Sequence, residues 1–240
     1  MSVTRRFFTA VTMTASLALA ACGGGSNGSI DSAGANERSL GSADAPVTMI
    51  EYASVSCGHC ATFHEEVWDT LETDFISTGQ IRFVMREMLS GEPRLAAAGF
   101  ALAHCVSDDR YFDMVSLLMQ QQRAIFQAAS QPGGARRQYV AIARSMGLSE
   151  SEMDTCLNDE SIYQSILDSH ERAGEAGITG TPRFVFNGQL LDSERDGNRS
   201  VFTLGGNVVL IDGEPVDAIV DAETFSRLIN HLVEQASSEG

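Results

Sequence analysis

Two cysteines with two residues between them, Cys57 and Cys60, stand at the start of a segment with helical periodicity. A thiolate, not a thiol, attacks a disulfide sulfur, and a nearby second cysteine can resolve the mixed disulfide that results. At a helix start, the first cysteine is exposed and meets unpaired N–H groups and the positive end of the helix dipole, whereas the second lies one turn later and faces inward. His59 can add positive charge or a hydrogen bond to the Cys57 thiolate. The spacing therefore predicts a thiol–disulfide exchange site.

Three other kinds of site use the same spacing. Zinc sites usually combine two Cys-x-x-Cys pairs, but Cys105 and Cys156 stand alone. A c-type haem needs a histidine directly after the second cysteine, where this chain has Ala61. An inert structural disulfide across only two intervening residues would be strained. We therefore favour disulfide exchange, without a metal or another cofactor, over these three alternatives.

The elements around the two cysteines predict a βαβ unit. Residues 47–52 are apolar and β-branched, as in a buried strand. Residues 57–77 have the period of an amphipathic helix, and residues 81–85 have the composition of a second strand. The apolar stripe of the helix consists of Phe63, Val67, Leu71 and Phe75. Such a unit implies a parallel pair of strands joined by a right-handed crossover.

A long helical region separates this unit from the later strands. Residues 92–177 contain a series of amphipathic segments, and residues 183–186 predict a short strand directly after Thr181-Pro182. A polar run at 192–200 then precedes two strand-like pieces, 201–204 and 208–211. A last amphipathic helix starts at Asp221. The segment 187–215 is either an extra hairpin or a decorated sheet edge.

The first residues predict export and a lipid anchor. Arg5 and Arg6 precede a mildly apolar stretch that is too short to span a membrane. Leu19-Ala20-Ala21-Cys22 resembles the lipobox of bacterial lipoproteins, in which the cysteine is lipidated. An ordinary cleavage site beside a chance cysteine is the alternative. We interpret residues 1–21 as a signal peptide, for the general or the twin-arginine route, and residues 22–45 as a flexible tether whose last few residues alone could pack as a strand.

Size and charge limit the class of protein. The 240 residues, 43% of them hydrophobic, suffice for one buried domain with a sizeable insertion. Only 16 basic residues face 32 acidic ones, and the net charge is −16. Nucleic-acid binding requires clustered positive charge, so we expect no nucleic-acid partner. In an exported protein disulfides persist, which favours disulfide chemistry for its cysteine pairs.

The segment Glu51–Cys60, the βαβ pattern and the Gly180-Thr181-Pro182 turn together resemble the thioredoxin superfamily. The helical residues before Thr181 are similar to the DsbA-like branch, in which an all-helical domain is inserted into the fold. The resemblance implies an α/β thioredoxin fold, with a central mixed sheet flanked by helices. It covers about residues 45–190 and the last helix, and we assign residues 46–240 to this one domain, with the insertion at about 92–177.

The resemblance also implies a role for each matching residue. Cys57 is expected to be the nucleophile and Cys60 the buried resolving thiol. Pro182 is expected to be in the cis form and to face the sulfur atoms, while the backbone of Thr181 pairs with a substrate strand. Glu51 matches the family's buried acid, which could accept the proton that Cys60 loses. An exposed carboxylate at a sheet edge is the alternative for Glu51.

Two features depart from typical DsbA oxidases. Gly58-His59 is the dipeptide of protein disulfide isomerases, and Thr181 before the proline is also more usual among isomerase-type relatives. Some DsbA-like proteins have a second, structural disulfide in the helical domain, for which Cys105 and Cys156 are the candidates; two separate buried thiols are the alternative. We interpret His64, His104, His170 and His231 as surface residues or as core residues with satisfied hydrogen bonds.

The DsbA-like resemblance and the lipobox-like segment together predict a monomeric oxidoreductase that faces the periplasm, is anchored in the bacterial envelope through lipidated Cys22, and forms disulfides in exported proteins. Its redox partner would be a membrane protein, either quinone-linked or reductant-linked. Two alternatives remain: a disulfide isomerase or reductase kept reduced by a membrane donor, and a non-catalytic chaperone module that binds unfolded chains beside Thr181 and Pro182.

Overall fold

A computed structural model describes residues 37–238. Its main sheet has seven strands, in the spatial order β1-β3-β2-β4-β5-β6-β7. Only β2 and β3 run parallel; the other neighbours are antiparallel. The strands are β1 Arg38–Leu40, β2 Val47–Ala53, β3 Ile81–Glu87, β4 Arg183–Phe186, β5 Gln189–Asp196, β6 Arg199–Leu204 and β7 Asn207–Val208, and a separate two-stranded sheet contains β8 Leu210–Ile211 and β9 Glu214–Pro215.

Helices cover the sheet and form the predicted insertion. The helices are α1 Gly58–Glu66, α2 Trp68–Thr70 with a π-helical turn Leu71–Ile76, α3 Pro93–Ala103, a 3₁₀ turn Asp108–Arg110, α4 Tyr111–Gln120, α5 Gln122–Ala129, α6 Gly134–Ser145, α7 Glu150–Leu157, α8 Glu160–Glu175 and α9 Ala222–Ser238. Helices α3 to α8 lie between β3 and β4 in the chain. The predicted thioredoxin fold, with a mixed sheet and a helical insertion, is confirmed.

The helix predicted over 57–77 is interrupted. Val67, at φ −124°, leaves the α-helical region and ends α1, after which the chain continues through α2 and the π-helical turn. The apolar stripe nevertheless stays buried, because Phe63, Val67, Leu71 and Phe75 are each less than 5% exposed. A straight helix is therefore not needed to bury this face.

Aromatic side chains join the elements that carry the site. The Phe63 ring on α1 lies 4.6 Å from that of Phe184 on β4 and 5.3 Å from that of Phe225 on α9, measured between ring centroids. Strands β2 and β3 are almost completely buried, as their near-continuous apolar sequences predict. Burial of one such aromatic side chain stabilises the fold by about 1.5–3 kcal/mol. The start of α1 is thus fixed on a rigid sheet.

The polar run at 192–200 is not a loop before the strands but part of a hairpin. Strands β5 and β6 pair from Leu191 with Leu204 to Asp196 with Arg199. Gly197, with φ +59°, lies in the turn between them. The outer part of the hairpin is exposed on both faces, which is why its sequence lacks apolar alternation. The strand-like piece 208–211 is divided at Val209, because β7 joins the main sheet and β8 the small one.

The sheet also extends toward the N-terminus. Strand β1, within the predicted tether 22–45, pairs Arg38 with Met85 and Leu40 with Phe83. The folded domain therefore begins before residue 46, because these backbone groups complete the edge of β3. The predicted signal peptide and Cys22 lie outside the described residues. Within 37–238 no helix is long and apolar enough to cross a membrane.

Candidate active site

Cys57 is the N-cap residue of α1. Its Sγ accepts a hydrogen bond from the backbone N–H of Cys60 at 3.4 Å, and its own N–H donates to the Ser54 carbonyl at 2.9 Å. An N-cap side chain normally satisfies one of the free N–H groups in the first helical turn, and here a sulfur atom does so. Both cysteines are free thiols. The helix start and its dipole therefore act directly on the sulfur of Cys57.

The two sulfur atoms differ sharply in acidity. The hydrogen bond with the side chain of Cys60 has the largest influence on the pKa of Cys57. Burial opposes it, but a side-chain bond from Thr181 and the backbone N–H groups of Cys60 and His59 also act, and together they lower the pKa of Cys57 to about 5. Burial raises the pKa of Cys60 far above its usual value, and Cys57 and the charge of Glu51 raise it further. At neutral pH the arrangement therefore favours a Cys57 thiolate beside a Cys60 thiol.

Thr181 and Pro182 lie against this sulfur. The peptide bond between them is cis, and Cys57 Sγ lies 3.3 Å from the Thr181 carbonyl oxygen, to which the sulfur donates only in its protonated form. This contact covers Cys57, which is only 9% exposed rather than exposed as predicted. His59 is exposed, and its influence on the Cys57 pKa comes from its backbone N–H rather than from its side chain.

Hydrogen bonds tie the loop before Cys57 to the loop after β3. The Ser56 hydroxyl donates to the Ser90 carbonyl at 2.7 Å and accepts from the Glu92 N–H at 3.0 Å. The Ser90 hydroxyl reaches the Thr181 hydroxyl at 2.5 Å. Gly91 has φ +77°, and a Cβ there would lie 2.3 Å from the Ser56 carbonyl oxygen, so no larger residue fits. These contacts place Cys57 and Thr181 relative to one another.

Gln122, on α5 of the insertion, also holds the active-site loop. Its side-chain amide is buried and donates to the carbonyls of Val55, at 2.9 Å, and of Cys57, at 3.1 Å. Sequence analysis missed this residue, because an isolated glutamine in an amphipathic helix carries no signal. The helical insertion is therefore joined to the reactive cysteine by hydrogen bonds.

Glu51 lies under the helix, in the centre of the sheet. It is fully buried on β2 between Met85 of β3 and Phe184 of β4, so it is not an edge carboxylate. Its Oε2 lies 3.3 Å from Nε2 of His64. Among the described residues, Glu51 Oε1 and His64 Nδ1 have no hydrogen-bond partner.

His64 was wrongly interpreted as a surface residue or a satisfied core residue. It is buried, yet one of its ring nitrogens has no partner within the described residues. The signal in the sequence was its position: His64 follows Cys60 by four residues, so both lie on one face of α1. Its ring stacks on that of Trp68, with the centroids 4.8 Å apart.

A cavity of about 610 Å³ opens beside this face of α1. Helices α1 and α2 line it on one side and α4 and α5 on the other. Its lining includes Gly58, His64, Trp68, Gln122 and Arg123. The cavity thus reaches from the active-site loop to the His64 ring. No three His, Cys, Asp or Glu side chains of residues 37–238 are grouped as they would be around a metal ion.

The other two cysteines lie away from this site. Cys105, just after α3, and Cys156, on α7, are joined by a disulfide with a Cα–Cα distance of 5.7 Å. Both are half-buried in the helical insertion. The structure therefore brings together the pair that the family resemblance implies.

Comparison with known proteins places the chain in a family. The family model described as Thioredoxin matches residues 34–200. Disulfide bond formation protein D of Bacillus subtilis is 30% identical over 161 residues, which cover 65% of this chain and 70% of that protein. A protein of Rickettsia typhi, provisionally named a protein-disulfide oxidoreductase, is 29% identical over 64% of this chain; the match spans 55% of that relative's length.

A solved structure shares the whole architecture. The crystal structure of Wolbachia pipientis alpha-DsbA1 superposes with a TM-score of 0.64 at 23% identity, covering 86% of this chain and 96% of that one. That likeness extends over the sheet and the helical insertion together. The chain therefore belongs to the thioredoxin family, and its fold is similar to that of this DsbA structure.

Proposed function

We propose that this chain is a thiol–disulfide oxidoreductase that forms disulfides in exported proteins at Cys57 and Cys60. The observation that carries the proposal is the difference between the two sulfur atoms. The pKa of Cys57 is lowered to about 5 and that of Cys60 is raised. A stabilised Cys57 thiolate lowers the free energy of the reduced pair, so its disulfide tends to take electrons from other thiols.

The proposed reaction transfers two electrons from a substrate dithiol to the enzyme. A substrate thiolate attacks Cys57 Sγ of the Cys57–Cys60 disulfide, and Cys60 leaves with the electron pair and takes up a proton. The second substrate thiolate then attacks the substrate sulfur of the mixed disulfide. The substrate disulfide forms, and Cys57 leaves as the stabilised thiolate.

Substrate binding is proposed at Thr181 and Pro182. Thr181 precedes β4 and lies against the sulfur of Cys57, where the backbone of an extended substrate segment could pair with it. This would orient a substrate sulfur toward Cys57. Backbone pairing is independent of substrate sequence, as an enzyme acting on many exported proteins requires.

The proposed cellular location of the protein rests on its N-terminal sequence. Arg5, Arg6 and the lipobox-like segment ending at Cys22 support export and lipid anchoring, so the domain would act on the periplasmic side of an envelope membrane. A membrane redox partner would reoxidise the pair. The Cys105–Cys156 disulfide is proposed to be structural, and the domain to act as a monomer.

The reduction potential of the Cys57–Cys60 pair tests this proposal. We expect a value less negative than about −180 mV, the potential of protein disulfide isomerase, by equilibration with glutathione. Alkylation of thiols in intact cells should find the pair oxidised. A Cys105→Ala/Cys156→Ala variant is the matched control and should give the same potential. A more negative potential, with the pair reduced in cells, would overturn the proposed oxidase function. It would favour the isomerase or reductase, whose relatives more often carry the features seen at Gly58-His59 and Thr181.

A further inference from the structure

The proposed reaction leaves a proton to be delivered inside the protein. Cys60 is 0% exposed, and its pKa is raised, so it must be protonated when its disulfide opens. Solvent does not reach its sulfur directly. The proton therefore has to pass through side chains.

Glu51 and His64 are two buried ionisable groups in contact that the rest of the fold leaves incompletely bonded. Glu51 Oε2 and His64 Nε2 are 3.3 Å apart, and the side chain of His64 is only 4% exposed. Glu51 Oε1 and His64 Nδ1 have no partner among the described residues. A buried polar atom without a hydrogen bond destabilises the fold, so stability alone does not explain this pair.

The surroundings of His64 connect this pair to the exterior. The ring of His64 lines the cavity of about 610 Å³ between the thioredoxin core and the insertion. Imidazole has two nitrogen atoms, so it can accept a proton at one while it gives up a proton at the other. The charged groups that line the cavity together with His64 are Glu65 on α1, Asp69 on α2 and Arg123 on α5, while the charge of Glu51 acts on Cys60.

We propose that His64 relays protons between the cavity and Glu51, and through Glu51 to Cys60. The relay rests on the proposed exchange reaction. When the Cys57–Cys60 bond opens, a proton passes from His64 Nε2 to the Glu51 carboxylate and from Glu51 to the Cys60 thiolate, so Glu51 ends as a carboxylate again. His64 regains a proton at Nδ1 from the side of the cavity, which solvent supplies. Reoxidation of the pair reverses the sequence, so charge and protons balance. His64 contacts Glu51 rather than the sulfur atoms, and is a positioning residue for the proton.

Chemical rescue tests the relay. Oxidised protein is mixed with a reduced dithiol peptide at pH 7, quenched with acid, and its free thiols are alkylated and counted over time. General acid–base assistance contributes about 10²–10⁴-fold, so His64→Ala should slow the opening of the disulfide at least tenfold. Added imidazole, which fits the enlarged cavity, should restore most of that loss.

Three variants define the outcomes. His64→Gln keeps a hydrogen-bonding side chain but cannot relay, so it should be slow and insensitive to imidazole. Glu51→Gln should behave in the same way. His231→Ala, which removes a half-buried histidine on α9 that contacts Gln235, should keep the wild-type rate with or without imidazole.

Each result decides between the ideas. A wild-type rate in His64→Ala, or a slow rate that imidazole leaves unchanged, would overturn the relay. If the wild-type protein itself exchanges no disulfides with the peptide, the proposed function fails instead. Rescue of His64→Ala alone supports the relay.

Discussion

The two cysteine pairs occupy opposite kinds of environment. Cys57 and Cys60 lie within one helical turn at a helix start, as free thiols of very different acidity. Cys105 and Cys156 are separated by 51 residues and joined between two segments of the insertion. Closing a loop of that length removes about 4 kcal/mol of chain entropy from the unfolded state, against about 2 kcal/mol for the short loop. A long loop makes a disulfide a structural bond, whereas a polarising helix start makes one reactive.

The largest effect should come from Cys57→Ser, which removes the nucleophile and leaves the second pair intact. We expect the oxidation of a reduced model peptide to fall at least about 10³-fold, because Cys57 is the sulfur that the start of α1 activates. The rate of peptide oxidation under a glutathione buffer measures this. If the Cys57→Ser protein retained most of its activity, the Cys57–Cys60 pair would not be the reactive one.

Removal of the second pair should affect stability rather than activity. We expect Cys105→Ala/Cys156→Ala to lower the free energy of unfolding by about 2–4 kcal/mol, since the unfolded chain regains its freedom. Urea titration at 25 °C measures the loss. Peptide oxidation well below the unfolding midpoint should stay within about twofold of wild type. A large loss of activity in the still-folded variant would show that the active site depends on the Cys105–Cys156 disulfide.

The smallest expected effect is a change in how steeply the reduction potential of the Cys57–Cys60 pair depends on pH. The pKa of Cys57 is lowered to about 5 in the fold, so the thiolate stabilises the reduced protein above the ordinary thiol pKa, and that stabilisation is lost as the pH falls through about 5. The reduction potential should therefore change by about 30 mV per pH unit between pH 6 and 8, and by about 59 mV per unit below pH 5. Titration with glutathione across this range locates the pH at which the slope of the reduction potential changes. A single slope of about 59 mV per pH unit from pH 8 downward would place the Cys57 pKa at its ordinary value.

Much of this site could be predicted from local sequence. The helix start at Cys57, the strand that carries Glu51 and the turn at Pro182 each have a short-range pattern. The resemblance to a known family then supplied the helical insertion and the pairing of Cys105 with Cys156. The roles assigned to these residues stay predictions until the experiments above are done.

What could not be predicted depends on contacts between distant segments. Gln122 reaches Val55 across 67 residues, and nothing near it in the chain indicates this. The burial of Cys57 arises from Thr181, which is 124 residues away. The outer part of the hairpin after β4 has no buried face to generate an alternating pattern. Tertiary contact thus overrides or supplements the local signal at each of these places.

The contact between Cys57 and Thr181 has a consequence for how the protein is made. During synthesis the two cysteines of the site precede Cys105, Cys156 and Thr181, so all four thiols are exposed together before the last strands are added. In the unfolded chain Cys57 is an ordinary thiol near pKa 9, and only a small fraction of it is thiolate at neutral pH. Its pKa is lowered when the start of α1 and Thr181 are assembled around the sulfur. We therefore expect Cys57 to react more slowly in the nascent chain than in the folded protein, which limits the mispairing of its cysteines during folding.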